Sequence, residues 1–266
     1  MTGIWGIVNV TPDSFSDGGR YLDVDRAVAH GLRLRDEGAT VLDVGGESTR
    51  PGAERVGADV EQQRVLPVIE RLVAAGAPVS VDTLNASTAE AAVRAGARIV
   101  NDVSGGLADA EMRAVVAASG ADYAIGHWRG FSDDMYAHAE YRRTAREVAA
   151  ELKARMGEAA AAGIAPSRLI VDPGIGFAKV GAQNWDVLRG LDEIVALGPR
   201  VLIGTSRKRF LADTLAHGDG EVTEQRRDLA TAVTSALALR AGVWAVRVHQ
   251  VAATRDALAV AHAWEG

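Results

Sequence analysis

The sequence predicts one (β/α)8 barrel, a single TIM-barrel domain over residues 1–266. Three observations predict it. Eight short apolar, β-rich runs recur along 266 residues, about 33 residues per unit, which suits this barrel. Helical stretches separate the runs, as in a parallel sheet with crossover helices. No Gly-x-Gly-x-x-Gly follows the first run, which removes the best reason to prefer a doubly wound open sheet.

The strands are read at Ile4 to Asn9, Thr40 to Asp43, Val79 to Asp82 and Arg98 to Asn101. The other four are Tyr123 to Gly126, Leu169 to Asp172, Val201 to Gly204 and Val243 to Arg247. Each is continuous in apolar character, as strands covered on both faces are. Helices are read at Arg26 to Glu37, Glu61 to Ala75, Ala86 to Ala95, Glu111 to Ser119 and Arg227 to Arg240. Val148, Leu152 and Met156 recur at every fourth residue, with Glu151, Lys153, Arg155 and Glu158 turned elsewhere. Gly38, Gly76, Gly96, Gly120, Gly163 and Gly242 stand where helices end and a left-handed cap is expected.

Composition narrows the function. The chain has no cysteine, which excludes a disulfide scaffold, a thiol nucleophile, a Cys-ligated zinc and an iron–sulfur cluster. Lys and Arg number 29 against 35 Asp and Glu, a net charge of −6. That balance argues against a general nucleic-acid binder, which needs a basic face. No run approaches the roughly 18 apolar residues of a membrane span, and the N-terminus has no basic leader region. The expectation is a soluble cytoplasmic protein with neither nucleic-acid nor membrane partners.

In such a barrel the active site lies at the C-terminal ends of the strands. Those ends carry Asn9, Asp43, Asp82, Asn101, Asp172 and Arg247. Asp and Asn at strand ends also serve as turn formers and caps, and Asp43 reads equally well as one. Asp82, Asn101 and Asp172 would converge on one mouth. Two carboxylates and an amide suit a flat ligand with several N–H donors, such as an amino-pyrimidinone edge. Arg50, Ser206-Arg207-Lys208-Arg209, Arg247 and His249 bring cations to three strand ends, an anion site within an acidic protein. Arg207 and Arg209 also read as a solvated helix start, and His249 as a structural histidine. The loops Thr11 to Gly19 and Gly45 to Gly52 read as mobile lids after strands one and two, with Phe15 at a tip. Trp128 would either stack on a flat ring or fill the barrel top.

These residues carry a resemblance. Asn9 to Gly19, Asp43 to Gly52, Asp172 to Phe177, Gly204 to Lys208 and Arg247-Val248-His249 are similar to motifs of the dihydropteroate synthase family, in order along almost the whole chain. His127-Trp128-Arg129 and the tryptophan before Arg247 resemble its actinobacterial members. The resemblance implies a pterin-binding barrel that condenses para-aminobenzoate with hydroxymethyl-dihydropterin pyrophosphate, losing pyrophosphate before the aniline nitrogen attacks. It implies that Asp82, Asn101, Asp172 and Lys208 hold the pterin, with Phe177 near the ring. It assigns Asn9 to magnesium, and Asn9, Arg50, Arg247 and His249 to the pyrophosphate. It places Phe15, Thr49, Arg50 and Pro51 in the aminobenzoate pocket, the target of sulfonamides. Lys208, Arg247, His249 and Asp82 become the catalytic set, and a homodimer is implied.

Three positions depart from the family pattern. Arg209 stands where many members have Ser, Gln250 where many have Asp, and Trp128 where Met is commoner. Three rivals remain: a silent pterin-binding paralogue, a pterin-dependent methyltransferase with a corrinoid partner, and a barrel aldolase using Lys208 as a Schiff-base amine. Intact lid and anion residues count against the first. The second needs neither the lids nor Ser206-Arg207-Lys208. The third leaves Arg247 and His249 unexplained.

Overall fold

The structure is a computed structural model that describes residues 3–11, 20–47, 56–130, 136–216 and 221–266; the side chains of residues 20–23 and 265 fall outside that description. The strands are β1 Gly3–Asn9, β2 Val41–Gly45, β3 Val79–Asp82, β4 Ile99–Asp102, β5 Asp122–Gly126, β6 Leu169–Asp172, β7 Arg200–Ile203 and β8 Ala245–Val248. They close in sequence order into one barrel, and every neighbouring pair is parallel, β8 onto β1 included. The helices are α1 Arg20–Asp36, α2 Ala58–Ala74, α3 Ala86–Arg94, α4 Met112–Ser119, α5 Thr144–Ala161, α6 Ala182–Arg189, α7 Leu191–Val195, α8 Arg209–Leu215, α9 Glu224–Arg240 and α10 Val251–Glu265. The expected fold class stands.

Strand periodicity places the site. Successive side chains of a strand point to opposite faces. Trp5, Val41, Ile99, Ala124, Ile170, Leu202 and Ala245, one from each of seven strands, form a buried cluster of their own. A separate and larger cluster, with Val8, Val44, Val81, Val100, Ile125 and Val171, packs with residues of the surrounding helices. The small cluster is therefore the barrel lumen. Two residues beyond its members, on the same face, come Asp43, Asn101, Asp172, Gly204 and Arg247. Asp82 follows buried Ser80 in the same way. The register aligns Asn9 with Gly45, Gly45 with Asp82 and Asp82 with Asn101, so these residues share one rim.

Some details differ from expectation. β2 continues to Gly45 instead of ending at Asp43, which makes Asp43 a lumen residue and not a turn former. β8 begins two residues later than expected and reaches Val248. Apolar spacing does not single out α6, α7, α8 or α10. Arg155, expected to face away from the core, is buried and donates to the carbonyls of Gly126, at 2.7 Å, and Trp128. Those carbonyls lie at and just beyond the end of β5, and an unpaired buried carbonyl is costly. The six helix-ending glycines all take positive φ. Among the described residues, no helix is long and apolar enough to cross a membrane.

Candidate active site

The rim residues form one connected charge cluster. Arg247 Nε donates to Asp43 Oδ2 at 2.5 Å, and its Nη2 donates to Asp82 Oδ2 at 2.6 Å. Asn101 Nδ2 donates to the same Asp43 oxygen at 3.0 Å. Four strands are thereby tied through one guanidinium and one carboxylate. The second oxygen of Asp43 is buried and has no partner among the described residues. Between Asp172, Lys208 and Arg247 the floor is Gly204. A Cβ built there would lie 3.9 Å from Asp172 Oδ2, from Lys208 Nζ and from Arg247 Cβ, so glycine leaves open the space those groups face.

Burial and mutual charge tune this cluster. Burial pushes Asp82 up to about 7 against the pull of Arg247, with Asp43 and Glu61 adding to the rise. Burial also raises Asp172, opposed by Lys208 and by the Gly174 N–H. Lys208 is lowered by burial to about 8, opposed chiefly by Asp172. Arg247 is held above its ordinary range despite burial, because Asp43 and Asp82 stabilise its charge. The mouth thus gathers three carboxylates and two cations, with acceptors able to take N–H groups of a heteroaromatic edge.

The segment after β6 completes the wall. Asp172 Oδ1 accepts from Gly174 N at 2.7 Å. Lys208, the residue before α8, donates to the Ile175 carbonyl and sits 4.7 Å from the centre of the Phe177 ring, a cation–π contact. Gly174 has φ +64°, and a Cβ there would come 2.1 Å from the His127 carbonyl. Gly174→Ala therefore destabilises the protein by about 2 kcal/mol or more, through left-handed strain and a backbone clash. A urea titration reads this as a lower midpoint at unchanged slope.

Sequence reasoning missed the polar groups behind this wall. Lys179 and His127 are buried; Lys179 Nζ lies 2.9 Å from His127 Nδ1, and His127 Nε2 lies 3.0 Å from Glu151 Oε2. Arg129 donates to both oxygens of Glu151, at 3.1 and 3.2 Å from its Nε. Burial and nearby Lys179 lower His127 to about 3, and hydrogen bonds from His127 and Arg129 bring Glu151 down to about 2 in spite of its partial burial. The ordinary values are 6.5 and 4.5. Between those values and the folded ones, the unfolded chain binds protons that the folded protein does not. Unfolding free energy therefore falls as pH drops from 6.5 toward 3 through His127, with Glu151 adding below 4.5. Urea midpoints measured at pH 7 and pH 4 check this, and the acid loss shrinks in His127→Gln.

The remaining sequence candidates separate clearly. His249 Nδ1 is 2.9 Å from Ser206 Oγ, and that hydroxyl accepts from His249 N at 3.0 Å, so the β7 and β8 ends hold the imidazole between them. Arg207 is an ion-pair residue, 2.7 Å from Asp228 and 3.0 Å from Glu224. The Arg209 side chain is 90% exposed, the solvated helix start that the sequence allowed. Gln250 is exposed and precedes α10, where its carbonyl accepts from Thr254 Oγ1 at 2.8 Å. Trp128 is buried beyond β5, lining a cleft with Arg129, His138, Glu151 and Arg155 rather than joining the rim cluster. Asn9 ends β1 on the rim and makes no side-chain hydrogen bond among the described residues. Phe15, Thr49, Arg50 and Pro51, with most of both lid loops, lie outside the described residues.

A parallel barrel with converging carboxylates, an amide and two buried cations at its C-terminal mouth defines an enzyme that grips a polar, flat, partly anionic ligand. Residues 5–249 match the family model described as pterin binding enzyme. The dihydropteroate synthase of Mycobacterium leprae is 53% identical over 261 residues, covering 97% of this chain and 92% of the relative. A Xanthomonas albilineans dihydropteroate synthase solved with 4-aminobenzoic acid superposes with a TM-score of 0.91 at 44% identity, covering 100% of this chain and 93% of that one. A Yersinia pestis dihydropteroate synthase solved with a sulfonamide drug gives a TM-score of 0.91 at 34% identity, covering 99% and 94%. The chain belongs to the dihydropteroate synthase family, whose members are transferases.

Proposed function

We propose that this enzyme condenses para-aminobenzoate with 6-hydroxymethyl-7,8-dihydropterin pyrophosphate, giving 7,8-dihydropteroate and pyrophosphate in folate biosynthesis. The observation that carries the reading is the rim cluster: Asp82 and Asn101 stand side by side at the ends of β3 and β4, and Asp172 and Lys208 border the bare floor at Gly204. The carboxylates accept N–H groups of the pterin, Lys208 donates to its ring acceptors, and Phe177 covers the ring. In the dissociative route the carbon–oxygen bond to pyrophosphate breaks first and the electron pair leaves with the anion. Asp82 and Asp172 stabilise the positive charge left on the pterin methylene. The aniline nitrogen of aminobenzoate then bonds to that carbon and loses a proton. No side-chain nucleophile takes part.

Arg247 and His249 face the departing charge. Asp43 and Asp82 use two of the five N–H groups of Arg247, so donors remain for phosphate oxygens. Ser206 fixes the imidazole of His249 from β7. The residues present fit magnesium that arrives with the substrate. Asn9 offers one uncommitted amide oxygen, no cluster of three acidic or histidine ligands occurs among the described residues, and magnesium is commonly bound by few protein oxygens plus phosphates. Bound there, it would neutralise charge on the pyrophosphate. Phe15, Thr49, Arg50 and Pro51 on the lid loops complete the aminobenzoate pocket, where a sulfonamide competes.

A homodimer and a cytoplasmic location belong to the same proposal. Leu229, Val233 and Leu237 are 66%, 51% and 57% exposed and recur every fourth residue along α9, an apolar stripe that a second copy would cover. The test of the whole reading is pyrophosphate release from the pterin pyrophosphate with magnesium, with and without para-aminobenzoate. Release that yields dihydropteroate and is inhibited by a sulfonamide supports it. Tight pterin binding without release would support a silent pterin-binding paralogue instead.

A further inference from the structure

Among the described residues Lys179 is the largest charged side chain with under 2% exposure, at 1%, and the proposed reaction does not use it. Its Nζ has three partners: His127 Nδ1 at 2.9 Å, and the carbonyls of Gly174 and Phe177, each at 3.0 Å. Both carbonyls only accept. The Glu151 carboxylate likewise accepts from His127 Nε2, which leaves Nδ1 of a neutral imidazole as an acceptor. The three contacts therefore use all three N–H groups of an ammonium. The chain runs on through Glu151 to Arg129, so the end of β5 and helix α5 anchor the segment after β6.

That segment needs an anchor. Gly174 and Gly176 take positive φ, and so does Ala178 at +49°, a conformation that costs a non-glycine residue of order 1 kcal/mol. Its inner side carries two groups of the pterin wall: the Ile175 carbonyl that holds Lys208, and the Phe177 ring beneath the Lys208 ammonium. Lys179 grips the carbonyls on either side of Ile175 and Gly176. Asn184 of α6 also holds the segment, its Oδ1 accepting from Gly176 N at 2.7 Å.

We propose that Lys179 is a positioning residue for the pterin half of the reaction. It fixes Gly174 to Phe177, and through them Lys208, in the geometry that grips the ring, and it leaves the aminobenzoate half untouched. This rests on the pterin reading above. The residues proposed for aminobenzoate, Phe15, Thr49, Arg50 and Pro51, belong to the motifs that follow β1 and β2 in sequence, and none of them falls within Asp172 to Lys179.

The test is Lys179→Met, which keeps the length of the side chain and removes every donor. Steady-state KM is measured for both substrates, and binding of the pterin pyrophosphate alone is measured by calorimetry. The expected result is a rise of about tenfold or more in pterin KM and dissociation constant, with the aminobenzoate KM within about twofold of wild type. A folded variant with unchanged pterin affinity overturns the proposal. Equal weakening of both substrates overturns it too, since a merely structural role would affect both. Glu151→Gln, at the half-exposed end of the chain, serves if Lys179→Met does not fold. It raises pterin KM by about threefold and spares aminobenzoate, and no change overturns the proposal. Should the wild-type protein bind pterin yet release no pyrophosphate, the synthase reading fails while the calorimetric comparison still decides on Lys179. Should it not bind pterin, both fail.

Discussion

Lys208→Ala lowers kcat/KM by roughly 10²- to 10³-fold in a protein that remains folded. Two effects add. The ring loses a donor that is charged and desolvated, where hydrogen bonds are strongest. Asp172 also loses its chief counter-ion and shifts further toward the neutral acid, so the cation-like pterin loses a stabilising charge. The stability effect runs differently. Lys208 is lowered from 10.5 to about 8, so the unfolded chain binds the proton more readily than the folded protein does. Holding that ammonium at neutral pH therefore opposes folding, and its removal offsets the loss of the contact with Ile175. The thermal midpoint should move little while turnover collapses. Steady-state kinetics beside thermal denaturation check both halves, and near-normal turnover would refute the role.

Arg247→Ala does the reverse in stability and the same in activity. The guanidinium neutralises Asp43, which is fully buried, and Asp82, which is nearly so. Removing it strands two carboxylates at the barrel mouth and leaves Asp43 with the Asn101 amide as its donor. Breaking one side of a buried ion pair costs about 3–5 kcal/mol, which in a chain of this length lowers the thermal midpoint by about 5–9 °C. Asp43→Asn in the same background should restore part of that loss, because it removes one stranded charge. Catalysis falls with the midpoint, since the cation facing the leaving pyrophosphate is gone. Calorimetric melting of the single and double variants reads the first effect, and pyrophosphate release at a temperature well below both midpoints reads the second. An unchanged midpoint in Arg247→Ala would mean that the guanidinium does not brace Asp43 and Asp82 at the barrel mouth.

The strands were legible because each is a short apolar run that ends on a polar residue, and that ending also marked the rim. Asp82, Asn101, Asp172 and Arg247 followed directly. Asp43 was ambiguous because an aspartate closing an apolar run looks like a turn former. The signal that resolves it is parity: Asp43 stands two residues after lumen-lining Val41, so it faces inward whenever the strand continues past it. Lys179, Glu151 and Arg155 were not legible. A charged residue between apolar helix positions, as Glu151 and Arg155 are, normally faces water, and so does a lysine in the segment between two elements, as Lys179 is; only the approach of the β5 and β6 ends to α5 gives these three partners to meet. Helix α10 escaped because its alanine-rich face carries little contrast. Arg209 was read both ways, and its neighbour Arg207 found acids on α9 that lie far away in sequence.

A crystal structure with 6-hydroxymethylpterin pyrophosphate decides whether the strand-end cluster grips the pterin. The ring should lie over Gly204, with Asp82, Asn101, Asp172 and Lys208 within about 3 Å of its polar edge and the pyrophosphate against Arg247 and His249. A ring seated instead in the cleft beside Trp128 and His138, with the rim cluster untouched, would contradict it.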